Sequence, residues 1–183
     1  MDELTRLLRA AQGGDRLALA AFVRRSQAEV WRLCAHLVDR QAADDLTQDV
    51  YLRAWLALPG WRGEASARTW LLAIARRTCA QAIRRRTGRR VPPVETASGD
   101  HRVLPDPAEA VLLSELVARL EPQRRAALVL TQLLGLSYAE AAEVCGCPVG
   151  TVRSRVARAR ADLTDRLRDE GPAATRASAA SSS

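Results

Sequence analysis

The sequence predicts an all-α protein of two small helical domains joined by a flexible linker. Apolar residues recur at helical spacing along most of the chain, and almost no run alternates as a β-strand does. Between the helical parts, residues 88–107 hold four prolines, two glycines and few apolar side chains, which is typical of a linker. We therefore expect one domain over 1–87, a second over 108–168, and a low-complexity, disordered tail over 169–183.

Four helices are expected in the first domain, at about 2–11, 16–38, 41–57 and 66–87. Gly13 and Gly14 separate the first two, and Asp15 is suited to cap the second because its carboxylate can accept from unpaired backbone N–H groups. The pair Pro59-Gly60 ends the third helix. The second domain is expected to contain helices at about 108–120 and 122–134, followed by a helix pair.

That helix pair occupies residues 137–163, SYAEAAEVCGCPVGTVRSRVARARADL. Ser137 and Glu140 have the spacing of a capping box, Gly146 permits a tight turn, and Pro148 suits the first position of a second helix. In the second helix the aliphatic side chains recur at helical spacing and should face a small core; they are Val152, Val156, Ala159 and Leu163.

The rest of the second helix carries hydrogen-bond donors, namely Thr151, Arg153, Ser154, Arg155, Arg158 and Arg160. A helix-turn-helix needs this arrangement, because its second helix enters the major groove and contacts base edges and phosphates. An ordinary helical hairpin with a solvated basic face is the alternative. The capping box, turn and arginine cluster together favour DNA binding.

The charge of the chain is unevenly distributed. The formal net charge is +7 and all 28 basic residues are arginine. Residues 1–58 balance eight acids with eight arginines, whereas residues 65–94 hold eight arginines and no acid. Because a GC-rich genome also enriches arginine, the segregation along the chain is the stronger sign of a polyanionic partner.

An acidic segment, DDLTQDVYLRAW over 44–55, precedes this basic part. Asp45, Gln48, Asp49 and Leu52 share one side of the predicted helix. Carboxylates and an amide beside an exposed leucine suit a docking surface for a basic helix, while a solvated acidic face is the alternative.

A strip of aromatic and basic residues follows, WRGEASARTW over 61–70 and then the arginines up to position 86. Aromatic rings beside arginines suit single-stranded DNA, where bases stack and phosphates are neutralised. Trp70 falls in register with Ile74, which favours a core position for it. The candidate contacts are Trp61, Arg62, Ser66, Arg76, Arg77, Arg84 and Arg85. The alternative for the arginines is a helix end favoured by the helix dipole.

Several function classes find no support in the sequence. The charged N-terminus is unlike a signal peptide and no apolar run could span a bilayer, so a soluble, cytoplasmic protein is expected. Cys34, Cys79, Cys145 and Cys147 are then expected as reduced thiols in small core positions. A zinc site formed by Cys34, Cys145, Cys147 and His36 is the weaker alternative, because the C-x-C spacing differs from the C-x2-C spacing of the usual zinc knuckle. No catalytic or cofactor motif is present, so neither enzyme activity, a cofactor nor a metal is expected.

Three motifs in order resemble the extracytoplasmic-function (ECF) sigma factors of the sigma-70 family, and the wording CGCPVGTVRSRVARAR is similar to the actinobacterial sigma-C type. Residues 44–55 resemble region 2.2, residues 61–86 resemble regions 2.3 and 2.4, and residues 120–160 resemble region 4. The resemblance covers about 12–165. One departure is Tyr51, where many relatives have phenylalanine.

The resemblance implies an alternative sigma factor that acts in transcription initiation. Asp45, Gln48, Asp49, Leu52 and Arg53 would then dock on the β′ clamp helices of core RNA polymerase, and the β flap is a further expected contact on the polymerase. The tryptophan–arginine strip would contact the −10 element and capture a flipped base, and the second helix of the pair would read the −35 element of promoter DNA. An anti-sigma factor is a further partner that the resemblance leaves open.

The sequence leaves two alternatives open. A transcription regulator could use the same helix-turn-helix without polymerase, but it would not need the acidic docking surface. A helical adaptor that mimics a sigma factor would not need the arginines of 76–86 and 153–160.

Overall fold

In the computed structural model, residues 1–88 and 115–179 are described, with side chains for 1–86 and 115–168. All regular structure in these ranges is helical, which confirms the predicted fold class. The predicted linker 88–107 lies outside the described residues except for Gly88, as do residues 108–114 and 180–183.

The first unit contains four helices, close to their predicted positions. They are α1 (Glu3–Gln12), α2 (Arg16–Leu37), α3 (Arg40–Ala57) and α4 (Ala67–Gly88), with a 3₁₀ turn over Leu58–Gly60 after α3. Asp15 caps α2 as predicted, because its Oδ1 accepts from the N–H groups of Leu17 and Ala18 at 2.8 and 3.0 Å.

The second unit begins in the described part with a helical turn at 115–118. It continues with α5 (Pro122–Leu128), which passes into a π-helical stretch over Val129–Leu133, and then with α6 (Tyr138–Cys145) and α7 (Val149–Ala179). Helix α7 runs on through 169–179, past the predicted end of the second domain at 168, and the remainder of the predicted tail, 180–183, lies outside the described residues.

Each unit packs around its own large apolar side chains. Phe22, Leu33 and Leu71 are almost fully buried in the first unit, and Leu130 and Val152 in the second. Burying one such side chain stabilises a fold by about 1.5–3 kcal/mol. The two units are also in contact, since α4 packs against α6 and their buried residues form one continuous cluster.

Polar contacts reinforce this arrangement. Arg68 Nη2 donates to the carbonyl oxygen of Leu134 at 2.6 Å, and Arg125 Nη1 donates to that of Leu37 at 3.0 Å. Burial lowers the pKa of the Arg125 guanidinium. The flexible linker expected between the domains therefore joins two units whose surfaces meet directly.

Candidate nucleic-acid and docking surfaces

The predicted docking residues all lie on α3 and form a stripe along it. Asp45, Gln48 and Leu52 are exposed, and the leucine side chain is 66% accessible. Asp49 is half-buried and accepts from Arg53 Nε at 2.9 Å. Arg53 also reaches α4, where its Nη1 donates to Gln81 Oε1 at 2.7 Å. Arg53 therefore ties the stripe to α4 rather than projecting from it.

An apolar groove runs beside this stripe, and sequence reasoning missed it. The groove has a volume of about 550 Å³ and lies between α2 and α3, lined by Leu19, Phe22, Val23, Leu52, Trp55 and Trp70 among others. Trp55 and Leu56 are 53% and 80% exposed, and both follow Leu52 at the end of α3. Their positions three and four residues after Leu52 on the same helix were the signal that could have identified them.

Trp61 is buried in the core of the first unit. It is 7% exposed, and its ring centroid lies 6.1 Å from that of Trp70 at an angle of 46°. The buried indole Nε1 has no hydrogen-bond partner. Trp61 therefore does not present its ring for base stacking in this conformation, and a DNA contact by this ring requires it to leave the core.

Ser66 caps the start of α4. Its Oγ accepts from the N–H of Thr69 at 3.1 Å, and its hydroxyl lies 2.9 Å from Thr69 Oγ1. Arg62 and Glu64 are exposed in the loop before it. Of the candidate residues in this loop, Arg62 thus projects into solvent, while Trp61 and Ser66 hold the loop and the helix start.

The candidate arginines of α4 differ in their surroundings. Arg77, Arg84 and Arg85 are exposed, whereas Arg76 is half-buried and its Nε donates to the carbonyl oxygen of Val144 in α6 at 3.0 Å. Arg86 pairs with Asp39 at the start of α3. The basic surface of α4 therefore consists mainly of its second half.

The helix-turn-helix has the predicted local geometry. Ser137 Oγ accepts from the N–H of Glu140 at 3.2 Å, and Glu140 Oε2 accepts from the N–H of Ser137 at 2.8 Å. The hydrogen bonds from Ser137 lower the pKa of Glu140. Gly146 has a φ of +63°, as a tight left-handed turn requires. Helix α7 begins at Val149, one residue after Pro148, whose carbonyl accepts the first backbone bonds.

The candidate donors of α7 lie on three sides of the helix. Val152, Val156 and Ala159 are buried as predicted, and Ser154 and Arg158 face solvent on the opposite side.

On one flank, Arg153 lies over the ring of Tyr138 at 5.8 Å, and Arg160 Nη2 donates to Gln132 Oε1 at 2.6 Å. On the other flank, Thr151 and Arg155 are half-buried, and Arg155 donates to Gln123 and contacts Cys147 Sγ at 3.5 Å. Arg155 is thus turned toward α5 and the turn, while the outer side and the first flank remain accessible to DNA.

Three of the cysteines occupy the predicted core positions. Cys34 and Cys79 are fully buried with sulfur atoms 3.6 Å apart, and burial raises the pKa of the Cys145 thiol. Cys147 is partly exposed at the turn instead. Within 1–88 and 115–179, no three His, Cys, Asp or Glu side chains group closely enough to hold a metal ion. Over the same ranges, no helix is both long and apolar enough to cross a membrane.

Comparison with protein families matches both units of the chain. Residues 22–89 match the family described as Sigma-70 region 2, and residues 110–163 match Sigma-70, region 4. The ECF RNA polymerase sigma factor SigC of Mycobacterium tuberculosis is 49% identical over 164 residues, which cover 87% of this chain and 88% of the relative. The RNA polymerase sigma-H factor of Pseudomonas aeruginosa is 36% identical over 171 residues, 84% of this chain and 88% of the relative.

Solved structures share the fold of the chain. CnrH, in complex with the cytosolic domain of CnrY, matches with a TM-score of 0.74 and 26% identity over 92% of this chain and 99% of CnrH. The sigma factor RpoE of Bartonella quintana, in complex with the anti-sigma factor NepR, matches with a TM-score of 0.72 and 24% identity, covering 83% of this chain and 98% of that one.

Proposed function

The chain belongs to the ECF sigma factors of the sigma-70 family, and from that premise we propose how its surfaces divide the recognition of polymerase and promoter. It is an alternative sigma factor, which binds core RNA polymerase and directs it to promoters for transcription initiation. The stripe on α3 docks on polymerase, the loop 61–66 with the exposed arginines of α4 contacts the −10 element, and α7 reads the −35 element.

The observation that carries this division is that acidic and basic surfaces lie on different helices. Helix α3 exposes Asp45 beside Leu52, whereas α7 exposes Arg153 and Arg158. An acidic surface repels the phosphates of DNA and attracts a basic protein helix. A single chain with both surfaces can therefore bind polymerase and DNA at the same time.

The docking surface combines charge with apolar area. Asp45 and Asp49 are complementary to a basic helix, such as the β′ clamp helices that the family resemblance implies. Leu52 and Trp55 border the apolar groove, so a docked helix would bury them. Hydrophobic burial supplies affinity, while the carboxylates supply orientation and partner choice. The β flap of polymerase is a further expected partner.

The two DNA-contacting surfaces have different roles in promoter opening. Contacts from α7 to base edges and phosphates hold the duplex at the −35 element. Binding energy from these contacts and from the α4 arginines offsets the cost of unstacking and flipping a base at −10, which is a few kcal/mol. The chain acts through binding alone in this scheme, in the cytoplasm where polymerase and chromosome meet. An anti-sigma factor as a further partner stays a prediction.

Run-off transcription with core polymerase tests the proposal. Promoter fragments are first selected from a library with randomised −35 and −10 elements, and transcripts are then compared with and without the purified chain. We expect transcripts from defined start sites only when both polymerase and the chain are present. Sequence-specific duplex binding without any polymerase-dependent transcript would contradict the proposal and would support a regulator that acts without polymerase docking.

A further inference from the structure

Helix α1 is hydrogen-bonded to both ends of the segment 58–67, which connects α3 with α4. At the first end, Gln12 Nε2 donates to the carbonyl oxygens of Leu58 at 3.0 Å and of Trp61 at 2.9 Å. At the other end, Thr5 Oγ1 accepts from the N–H of Ala67 at 3.0 Å. The segment that carries the −10 candidates is therefore held by a helix that precedes it by some fifty residues.

The Thr5 hydroxyl is set in one orientation by its own partner. Thr5 is 6% exposed, and its hydroxyl donates its proton to Asp2 Oδ2 at 2.6 Å, while Asp2 Oδ1 accepts from the N–H of Thr5 at 2.9 Å. The lone pairs of the hydroxyl are then available to the N–H of Ala67, the first residue of α4, which has no partner within its own helix. Thr5 thus acts as a cap supplied by a different helix.

The middle of the segment also lies against α1. Gly63 has a φ of +75°, a conformation that favours glycine, and a Cβ at this position would come within 3.0 Å of Arg9 Nη2. Trp61 is anchored in the core beside Trp70. The residues that remain exposed are Arg62 and Glu64, so the segment presents a short tip whose two ends are fixed.

We propose that α1 positions the −10 recognition segment, with Gln12 and Thr5 holding residues 58–67 in the conformation that meets an unpaired base. The proposal rests on the function proposed above for this segment. A loop that is ordered before binding loses less conformational entropy when it binds. The contact is therefore stronger and the base preference sharper. The Sigma-70 region 2 match begins at residue 22, so α1 lies outside the part of the chain that the family model covers.

The first test needs only the isolated chain. In Gln12→Ala and in Thr5→Val, backbone amides of 61–67 should exchange with solvent at least about fivefold faster than in the wild type, because each variant removes hydrogen bonds that close the segment. Thr5→Ser keeps the hydroxyl and should restore slow exchange. Gln41→Ala removes a glutamine that is exposed on α3, and it is the matched control.

The second test uses the full chain with core polymerase. Gln12→Ala should reduce open-complex formation at least about fivefold on duplex promoters and relax base preference on premelted −10 templates. Polymerase affinity and −35 binding should stay at wild-type values, as should every readout in Gln41→Ala. Thr5→Val should show the same two defects, and Thr5→Ser, which keeps the hydroxyl bonded to Ala67, should restore both. Unchanged polymerase affinity and −35 binding in the variants separate positioning from a general loss of folded protein.

The outcomes distinguish the two proposals. The role of α1 would be overturned if Gln12→Ala and Thr5→Val both kept the wild-type rate of amide exchange and the wild-type base preference. The proposed function would then still stand. A wild-type chain that opens no promoter with core polymerase would overturn the proposed function, and the −10 role of α1 with it.

Discussion

Arg76 of α4 donates its Nε–H to the carbonyl oxygen of Val144 in α6 across 3.0 Å. The bond joins the basic strip of the first unit to the first helix of the helix-turn-helix. Arg76 is half-buried, and its Nε is engaged by this bond while α4 and α6 stay in contact. Arg77 is the next residue of the same helix and is exposed.

This contact predicts different stabilities for two neighbouring substitutions. Arg76→Ala should lower the free energy of unfolding by about 1–3 kcal/mol, because the charged donor is removed and the Val144 carbonyl loses this partner at a partly buried contact. Arg77→Ala should change it by less than about 0.5 kcal/mol. Urea unfolding of both variants is the measurement. Equal midpoints for the two would show that the Arg76–Val144 bond contributes nothing to stability.

The helices could be predicted from sequence because their signals are local. Asp15, the Ser137–Glu140 capping box and Gly146 act within three residues of their partners, and all three predictions are confirmed. The burial of Trp61 and the bond between Arg76 and Val144 could not be predicted. Both depend on residues from distant segments, and a helical pattern alone does not say which helix packs on which face.

In the candidate site, too, only the features set by local sequence could be predicted. The exposed stripe on α3 and the outer side of α7 follow from helical spacing, which the sequence displays directly. The groove beside Trp55 requires α2 to lie next to α3, and the contact of Gln12 with Leu58 requires α1 to fold back on the end of α3. Such features arise only from tertiary packing.

Tyr51 predicts a loss of stability at alkaline pH. Ser26 Oγ lies 2.7 Å from the carbonyl oxygen of Phe22, to which it donates, so the Tyr51 hydroxyl is the donor in its 2.6 Å bond to Ser26. Burial raises the pKa of Tyr51 to about 12, above its ordinary value near 10. Because the unfolded chain then releases this proton first, stability is complete below pH 10 and falls as the pH rises toward 12.

Urea unfolding at pH 8 and pH 11 measures this loss. Tyr51→Phe should cost about 0.5–1.5 kcal/mol at pH 8 and should remove part of the alkaline loss. Ser26→Ala and the variant with both substitutions complete a double-mutant cycle. The losses in the free energy of unfolding should not add, because both single substitutions remove the bond between Tyr51 and Ser26. Additive costs, or an unchanged alkaline loss in Tyr51→Phe, would contradict this account.

Charge reversal on α3 tests the docking surface. Asp45→Arg with Asp49→Arg should abolish co-purification with core RNA polymerase, because a basic partner helix would then meet like charges. Circular dichroism should show that the variant stays helical. The control is Glu143→Arg with Asp165→Arg, which gives the same change in net charge at two exposed acids of the second unit. Co-purification that is equal in both variants would remove α3 from the docking scheme.

Two arginines on the same flank of α7 are predicted to differ in what they contact. Arg153→Ala should relax base preference in the −35 element at a cost of about 1–3 kcal/mol, as expected for a contact with a base edge. Arg160→Ala should weaken binding to all promoter sequences alike, as expected for a phosphate contact. It should also reduce the slope of log affinity against log salt concentration by about one.

Gel shifts of promoter variants at several salt concentrations separate these roles. Arg168→Ala, at an exposed position farther along α7, is the control. The reverse pattern would exchange the roles of the two arginines. Wild-type affinity of both variants for every promoter at low salt would contradict DNA reading by α7.

The exposed arginines of α4 should matter more for opening the promoter than for recruitment to it. Arg77→Ala with Arg85→Ala removes two exposed charges of the strip and leaves the Arg76 contact in place. The closed complex, seen by gel shift, should persist because α7 is unchanged. Permanganate reactivity of unpaired thymines should be lost, since phosphates of the melted strand are no longer neutralised.

The matched control for this variant is Arg16→Ala with Arg24→Ala, which removes the same charge from exposed positions on α2. On a premelted bubble template the defect of the α4 variant should shrink without vanishing, because unpairing is already supplied but capture of the strand is still impaired. If the α4 variant melts duplex promoters as well as the control does, the acid-free stretch of α4 is a solvated face, and strand capture rests on the loop 61–66 alone.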